Sequence, residues 1–506
     1  MNKGRTKLFA INSVYAILNQ IIIIGAGFVI PKFMIMYYGS EINGLVSSIN
    51  QFIAYFNVVE AGLSSATVFV LYKYLYEDDH NMINKVVSTA KKYYFQAGYL
   101  FTLLVLLLAI VFSFSVHISS LDHKYIFLLV FLLGARGFLD FFLLAKYRTL
   151  LTANQQVYVI SIANSIYTIL NLLIIVFMSI RQYNIVYIYI FSLVPLLLRS
   201  FIMYLYVKRN YTFIDYGLKP DKNLIKARWD ALFQQVLGMI QTAGPTIIAT
   251  IFLTLKDVSI YSVYNMVITG INGVFSIFTS SLSSSFGNVI ASGDRLLLKR
   301  TYNQFEFVYL QVMAVIFTTT GLMLNPFIYI YTRNITELNY NIPSLAILFV
   351  INAFLYNVKT PQGMIIISAG HYKETRWRSA IQGIILVCFA CLFVNLWGLQ
   401  GILIGASISN LYRVIDMLFY VPKYITHSKV YDSLKNISLM FLTSCGTIII
   451  LGYYTNNKNY FGWIDWCTTA ILCVSIGVLL SVVISYVLNR KNFLEVLKRI
   501  MVIFNR

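Results

Sequence analysis

Charge is what this chain has least of. Only 11% of its 506 residues are Asp, Glu, Lys or Arg, and 58% are hydrophobic, whereas soluble domains carry roughly a quarter charged residues. No polar linker or charge-rich segment longer than about two dozen residues relieves the apolar background. A soluble enzyme, a secreted disulfide scaffold and a coiled coil are therefore excluded. Cysteine is scarce too, with five in the chain. Cys388 and Cys391 form C-x-x-C, but inside an apolar run with no βαβ context, so they read as packing residues and not as a redox or metal pair. The sequence has no G-x-x-x-x-G-K-[ST] phosphate loop, no H-E-x-x-H and no G-x-S-x-G. ATP hydrolysis, zinc proteolysis and serine hydrolysis lack their residues. Glu77-Asp78-Asp79-His80 resembles a metal cluster but falls in a solvated connection.

What the chain has is long apolar runs, each able to cross a hydrocarbon layer of roughly 30 Å. Fourteen spans are expected, at 9–33, 44–70, 93–117, 125–146, 157–180, 185–207, 231–254, 259–288, 305–332, 343–368, 379–396, 400–420, 436–455 and 467–488. The first follows Lys3, Arg5 and Lys7, as a signal peptide would. It is too long for one and lacks an A-x-A cleavage site, so it reads as a retained helix. The fold class is an all-α polytopic membrane protein.

The formal net charge is +20. In a soluble protein this would suggest nucleic acid; here it follows from basic cytoplasmic loops, and no nucleic-acid partner is expected. With Lys32 and Lys146, at span ends, counted in the adjoining connections, the termini and the connections after even-numbered spans hold 29 Lys and Arg, the other connections six, and the spans four. That asymmetry predicts both termini in the cytoplasm. The external loops are short, leaving no room for an extracytoplasmic catalytic domain, and no enzyme is expected. The tail from Arg490 alternates basic with apolar residues and reads as an amphipathic helix on the membrane surface.

A duplication is expected. Segment 152–175 resembles 368–391 in pattern, and AGLSSA at 61–66 recurs loosely as SSLSSS at 280–285. The expected organisation is a six-helix lobe over 1–210, a second over 223–424, helices 13 and 14 over 436–488 and a tail over 489–506, with the two pseudo-symmetric lobes around a central cavity. Such repeats are typical of alternating-access transporters.

Seven ionisable residues are singled out away from the ends of the spans: Glu60, Arg136, Asp140, Arg199, Lys359, Arg413 and Asp416. Charges at this depth are costly and mark sites or local pairs. At 1.5 Å per residue, Arg136 is roughly 17 Å from the outer end of its span and Glu60, Arg199, Lys359 and Arg413 about 20–24 Å. They form one layer, from the midplane toward the cytoplasm. Arg136, Arg199, Lys359 and Arg413 are the substrate-binding candidates, since arginine suits pyrophosphate. Glu60, Asp140 and Asp416 are candidates for coupling to Na⁺ or a proton. Local pairing offers another account, because Arg136–Asp140 are i, i+4 and Arg413–Asp416 i, i+3 neighbours. Glu60 has no cation within one turn. Gly244-Pro245, in the middle of span 7, is a candidate helix bend.

Three stretches resemble a known family. Glu60-Ala61-Gly62-Leu63-Ser64-Ser65-Ala66 with Leu71-Tyr72-Lys73 is similar to the second helix of Wzx-type polysaccharide repeat-unit flippases. Tyr147-Arg148-Thr149-Leu150-Leu151-Thr152-Ala153-Asn154-Gln155-Gln156 resembles the loop after their fourth helix, and Gly398-Leu399-Gln400-Gly401-Ile402 their turn before helix twelve. These flippases belong to the multidrug/oligosaccharidyl-lipid/polysaccharide exporter (MOP) superfamily. The resemblance implies two six-helix lobes around a cationic cavity and flipping of a polyprenyl-pyrophosphate-linked oligosaccharide across the bacterial inner membrane. It also implies ion antiport, no bound cofactor, and cooperation with a polysaccharide polymerase or glycosyltransferases, for O-antigen or capsule synthesis. A monomer is expected. A drug antiporter of the same fold is the alternative.

Overall fold

A computed structural model describes residues 3–60, 62–118, 121–221, 224 and 228–504. Ala61 and Asn223, which the sequence reading used, lie outside them, as do the side chains of Lys3, Arg5, Lys7 and 280–285. Seventeen α-helices are present among the described residues: α1 Lys3–Phe56, α2 Leu63–Tyr76, α3 His80–Ser115, α4 His123–Leu139, α5 Ala145–Ala153, α6 Val157–Ile180, α7 Ile185–Phe191, α8 Leu193–Asn210, α9 Arg228–Phe252, α10 Leu255–Ala291, α11 Arg295–Thr332, α12 Pro343–Val358, α13 Thr360–Ser368, α14 Tyr372–Val421, α15 Val430–Asn457, α16 Trp463–Leu488 and α17 Arg490–Phe504. In hydrocarbon an unpaired backbone group is too costly, so apolar spans of this composition settle into helices that bond internally.

Among the described residues, twelve helical runs are long and apolar enough to cross a membrane. Two are too long for one pass. The run Ala10–Tyr76 has 67 residues, about 100 Å if straight, three times the hydrocarbon thickness. It breaks at Gly39 (φ 86°) and again at Gly62 (φ 75°), a backbone region that favours glycine. Within α14, Gly398 (φ 55°) separates two antiparallel arms. The arms touch so closely that a Cβ on Gly401 would stand 2.1 Å from the Phe393 carbonyl oxygen, and one on Gly405 would stand 2.4 Å from the Ala390 nitrogen. Counting each bent run as two passes gives the fourteen expected.

The chain forms two compact units, Met1–Met266 and Val267–Arg506, divided within α10. In the first, α1 runs alongside α6 in the same direction. Asn12 fixes the register: its amide donates to the Gln155 carbonyl (2.7 Å) and its oxygen accepts from the Tyr158 N–H (2.8 Å), while Ser165 donates to Asn19 (3.2 Å) further along. Gly44 permits a close crossing, since a Cβ there would sit 1.8 Å from the Leu255 carbonyl oxygen, and Asn43 donates to Ser259 at 2.8 Å beside it. The apolar core of this unit runs through Leu45, Ile49, Phe101, Val105, Leu129 and Val130, all buried. In the second unit, α11 is the central helix, flanked by α12, α15 and α16.

A local pattern recurs between the units. Helix α5 ends at Ala153, Gln155 turns through positive φ, and α6 starts at Val157. Helix α13 ends at Ser368, Gly370 turns likewise, and α14 starts at Tyr372. Each position lies 215 residues after its counterpart, close to the repeat expected from 152–175 and 368–391.

Candidate functional site

In unit 1 the charged layer is assembled by a loosened helix. A π-helical turn, Asp140–Leu144, joins α4 to α5. Such turns interrupt regular i→i−4 bonding and often accompany functional positions. Helix α5 continues the line to Ala153, carrying Arg148 two turns beyond Asp140. Arg148 pairs with Glu60, and its other terminal nitrogen is 3.8 Å from Asp140. Asp140 in turn pairs with Arg199 of α8, which also donates to Asn164 of α6 at 3.2 Å. Four elements thus converge on one ladder: Glu60, Arg148, Asp140, Arg199. Arg199 is buried, with 6% side-chain exposure. Arg136 is exposed and lies over the Tyr167 ring, 5.3 Å from its centroid, while Arg199 lies 5.2 Å from the same ring. No carboxylate among the described residues is within 4 Å of Arg136. The i, i+4 pairing of Arg136 with Asp140 is therefore replaced by pairing across helices.

A cavity of about 460 Å³ opens beside this ladder. Glu60, Asp140 and Arg148 line it, with Asn57, Ser64 and Gln235 among its polar wall. Two of the seven residues singled out in the sequence, Glu60 and Asp140, therefore share one cavity.

Unit 2 holds the counterpart. Arg413 donates to Asp416 at 2.6 Å, the i, i+3 pair that spacing allows, and to Ser379 at 3.0 Å. Arg378 also pairs with Asp416. Lys359, at the break between α12 and α13, donates to Asn410 at 2.7 Å and lies 4.8 Å from the Tyr356 ring. Asn410 accepts further from Gln382 (3.3 Å) and donates to Asn352 (2.9 Å). The Arg199–Asn164 contact of unit 1 recurs here as Arg413–Ser379, on the corresponding helices.

Helix α9 passes through Gly244-Pro245 without a break in its helical assignment, and Pro245 is buried. Proline has no N–H for the Gln241 carbonyl one turn back.

Three charged residues escaped the sequence reading. Arg148 and Arg378 were assigned to connections, because the spans were ended at 146 and begun at 379. The helices run on to Ala153 and back to Tyr372, which places both guanidinium groups within reach of the buried acids. The signal was the spacing of Arg148 from Asp140, eight residues on and so on the same helix face. Glu306, second residue of the expected ninth span, is 1% exposed. It accepts from Tyr302 (3.0 Å), Gln362 (2.9 Å), Ser433 (2.9 Å) and Asn436 (3.0 Å), tying α11 to α13 and α15. All its partners are neutral donors, spread too widely in sequence to be read from it.

No protein-family model matches the chain, and no curated protein does. Solved structures do. The inward closed conformation of the lipid II flippase MurJ superposes with a TM-score of 0.70 at 16% identity, covering 95% of this chain and 98% of that one. A multidrug resistance MATE family transporter of the MOP superfamily, in its inward-facing conformation, gives 0.70 at 14% identity over 82% and 98%. A MOP superfamily transporter from Pyrococcus furiosus, reported with reversed polarity of its binding pocket, gives 0.61 at 14% over 86% and 96%. At such identities the likeness concerns the fold: this chain has the all-helical, multi-pass membrane fold of these transporters.

Proposed function

We propose that the protein is a transporter, not an enzyme, and that it moves a polyprenyl-pyrophosphate-linked oligosaccharide across the bacterial inner membrane by alternating access. The observation that carries this reading is the surplus of cations in each charged cluster. Unit 1 sets Arg136, Arg148 and Arg199 against Glu60 and Asp140. Unit 2 sets Lys359, Arg378 and Arg413 against Asp416. Arg136 and Lys359 are the members without a carboxylate partner among the described residues. Within either unit, a pyrophosphate that reaches the cation supplies what it lacks, and a charge-assisted bond is roughly twice as strong as a neutral one. Arg199 and Arg413 are committed to their aspartates and hold the clusters in shape. The polyprenyl chain stays in the bilayer, and a polymerase or glycosyltransferase handles the repeat unit on either side. Glu60 and Asp140 are the acids placed to carry a coupling Na⁺ or proton.

Mass spectrometry of lipid-linked oligosaccharides from a strain lacking the protein tests this reading. Accumulation of one completed repeat unit is expected. A second reading rests on a specific feature of the unit 1 cavity, whose wall carries two carboxylates and one guanidinium. That balance favours a cation, as a drug antiporter would need. Increased sensitivity to cationic drugs, with an unchanged lipid-linked pool, would select it.

A further inference from the structure

A second cavity in unit 2, also about 460 Å³, shares no residue with either charged cluster. It lies at the Thr332 end of α11, among the start of α12 and the connection from α15 to α16. Arg333 and Lys458 line it, and no aspartate or glutamate does. Each cation spends one N–H on the protein: Arg333 on the Phe461 carbonyl (3.2 Å) and Lys458 on the Thr469 hydroxyl (2.7 Å). The remaining N–H groups of both are available to an anion. Two acceptors stand opposite. Asn325 and Asn341 line the same cavity, and each has a buried side-chain oxygen with no hydrogen-bond partner. Leaving such an atom without a donor is unfavourable, which favours a ligand that brings donors. The rim is apolar and bare: Tyr329 is 46% exposed and Phe461 77%.

These features restrict the ligand. A simple inorganic anion satisfies the cations but brings no donors for the asparagines. A neutral glycan brings donors but leaves two charges unanswered. Neither uses the apolar rim. We propose that this cavity binds the head group of an anionic lipid, with its phosphate between Arg333 and Lys458, its hydroxyl groups donating to Asn325 and Asn341, and its chain against Tyr329 and Phe461. The shared chemistry, a hydroxyl-bearing phosphate on a lipid chain, has two sources: a resident phospholipid or the transported lipid itself. The inference stands on this cavity alone, apart from the transport reading.

The test uses the purified, delipidated full chain in detergent, with lipid retention followed by native mass spectrometry. The probes are phosphatidylglycerol, phosphatidylcholine and a polyprenyl-pyrophosphate-linked disaccharide. Phosphatidylglycerol is expected to bind at least tenfold more tightly than phosphatidylcholine. The pair R333Q/K458Q should abolish that preference, and N341A should reduce it severalfold, with thermal unfolding matching the parent. Should the pair fail to fold, the single variants R333Q and N341A carry the same comparison. Preferential retention of the polyprenyl-pyrophosphate-linked disaccharide, lost in the same variants, upholds the site and assigns it to the transported lipid. Equal binding of all three lipids, or variants that bind like the parent, would overturn it.

Discussion

Arg199 and Asp140 illustrate how little the sequence position of a charge says about its role. Arg199 is buried among α6, α8 and the π-turn, and its partner lies 59 residues away in sequence. Removing one member of a buried pair strands the other, at a cost of about 3–5 kcal/mol. Because Asp140 is 28% exposed and keeps Arg148 at 3.8 Å, Arg199→Ala should lower unfolding stability in detergent by less, about 1–3 kcal/mol, and Arg199→Ala combined with Asp140→Ala should recover part of that loss. Arg136 should behave in the opposite way. It is exposed and rests on Tyr167 without a carboxylate, so Arg136→Ala should leave stability within about 0.5 kcal/mol. Transport in that variant should fall roughly 10- to 100-fold, the equivalent of one hydrogen bond to a charged group. All seven intramembrane charges could be picked out by composition. Their pairing could not, because Glu60–Arg148 and Asp140–Arg199 form across helices and depend on packing that no local spacing encodes.

At the scale of elements, the hairpin in α14 rests on Gly398, Gly401 and Gly405. Any side chain at Gly401 meets the Phe393 backbone, which cannot move aside as a flexible side chain would. Gly401→Val should exceed the roughly 1–3 kcal/mol typical of overpacking and sharply reduce folded protein, readable as loss of the monodisperse peak in size-exclusion chromatography. The amphipathic tail is a helix, α17, and it is latched. Glu495 accepts from Arg300 (3.2 Å) and Gln304 (2.6 Å) of α11. Partial burial pushes its carboxyl upward, but those hydrogen bonds and the nearby cations outweigh this and hold it below the usual carboxylate range. A carboxyl lowered by folding contributes stability above its unfolded value and loses it as pH falls through the folded value. The protection of α17 amides, measured relative to the intrinsic exchange rate at each pH, should therefore be full at neutral pH and fall in acid below the normal carboxylate range. Glu495→Gln should show the lower protection already at pH 7. Helix positions were legible because hydropathy reports burial in lipid directly. Their ends were not, since α5, α11 and α14 continue past the apolar stretch on polar residues that hydropathy reads as loops.

For the whole molecule, the fourteen passes and the membrane class follow from composition and run length, and the likeness to MurJ and MATE structures bears out the all-helical transporter fold. The repeat was legible through one turn pattern, at 152–156 and 368–371. It is reinforced by a matching contact, Arg199–Asn164 against Arg413–Ser379, which appears only once helices are packed. The substrate is the part least written in the chain, since the charges proposed to meet it, Arg136 and Lys359, are scattered along the sequence and form no motif. The most direct measurement is translocation of a polyprenyl-pyrophosphate-linked oligosaccharide in proteoliposomes, comparing the parent chain with the pair Arg136→Ala and Lys359→Gln. Rapid loss of the lipid from its starting leaflet with the parent chain, and a fall of at least tenfold with the pair at unchanged protein insertion, is the predicted result. Equal rates for the two proteins, or no translocation above empty vesicles, would contradict the account.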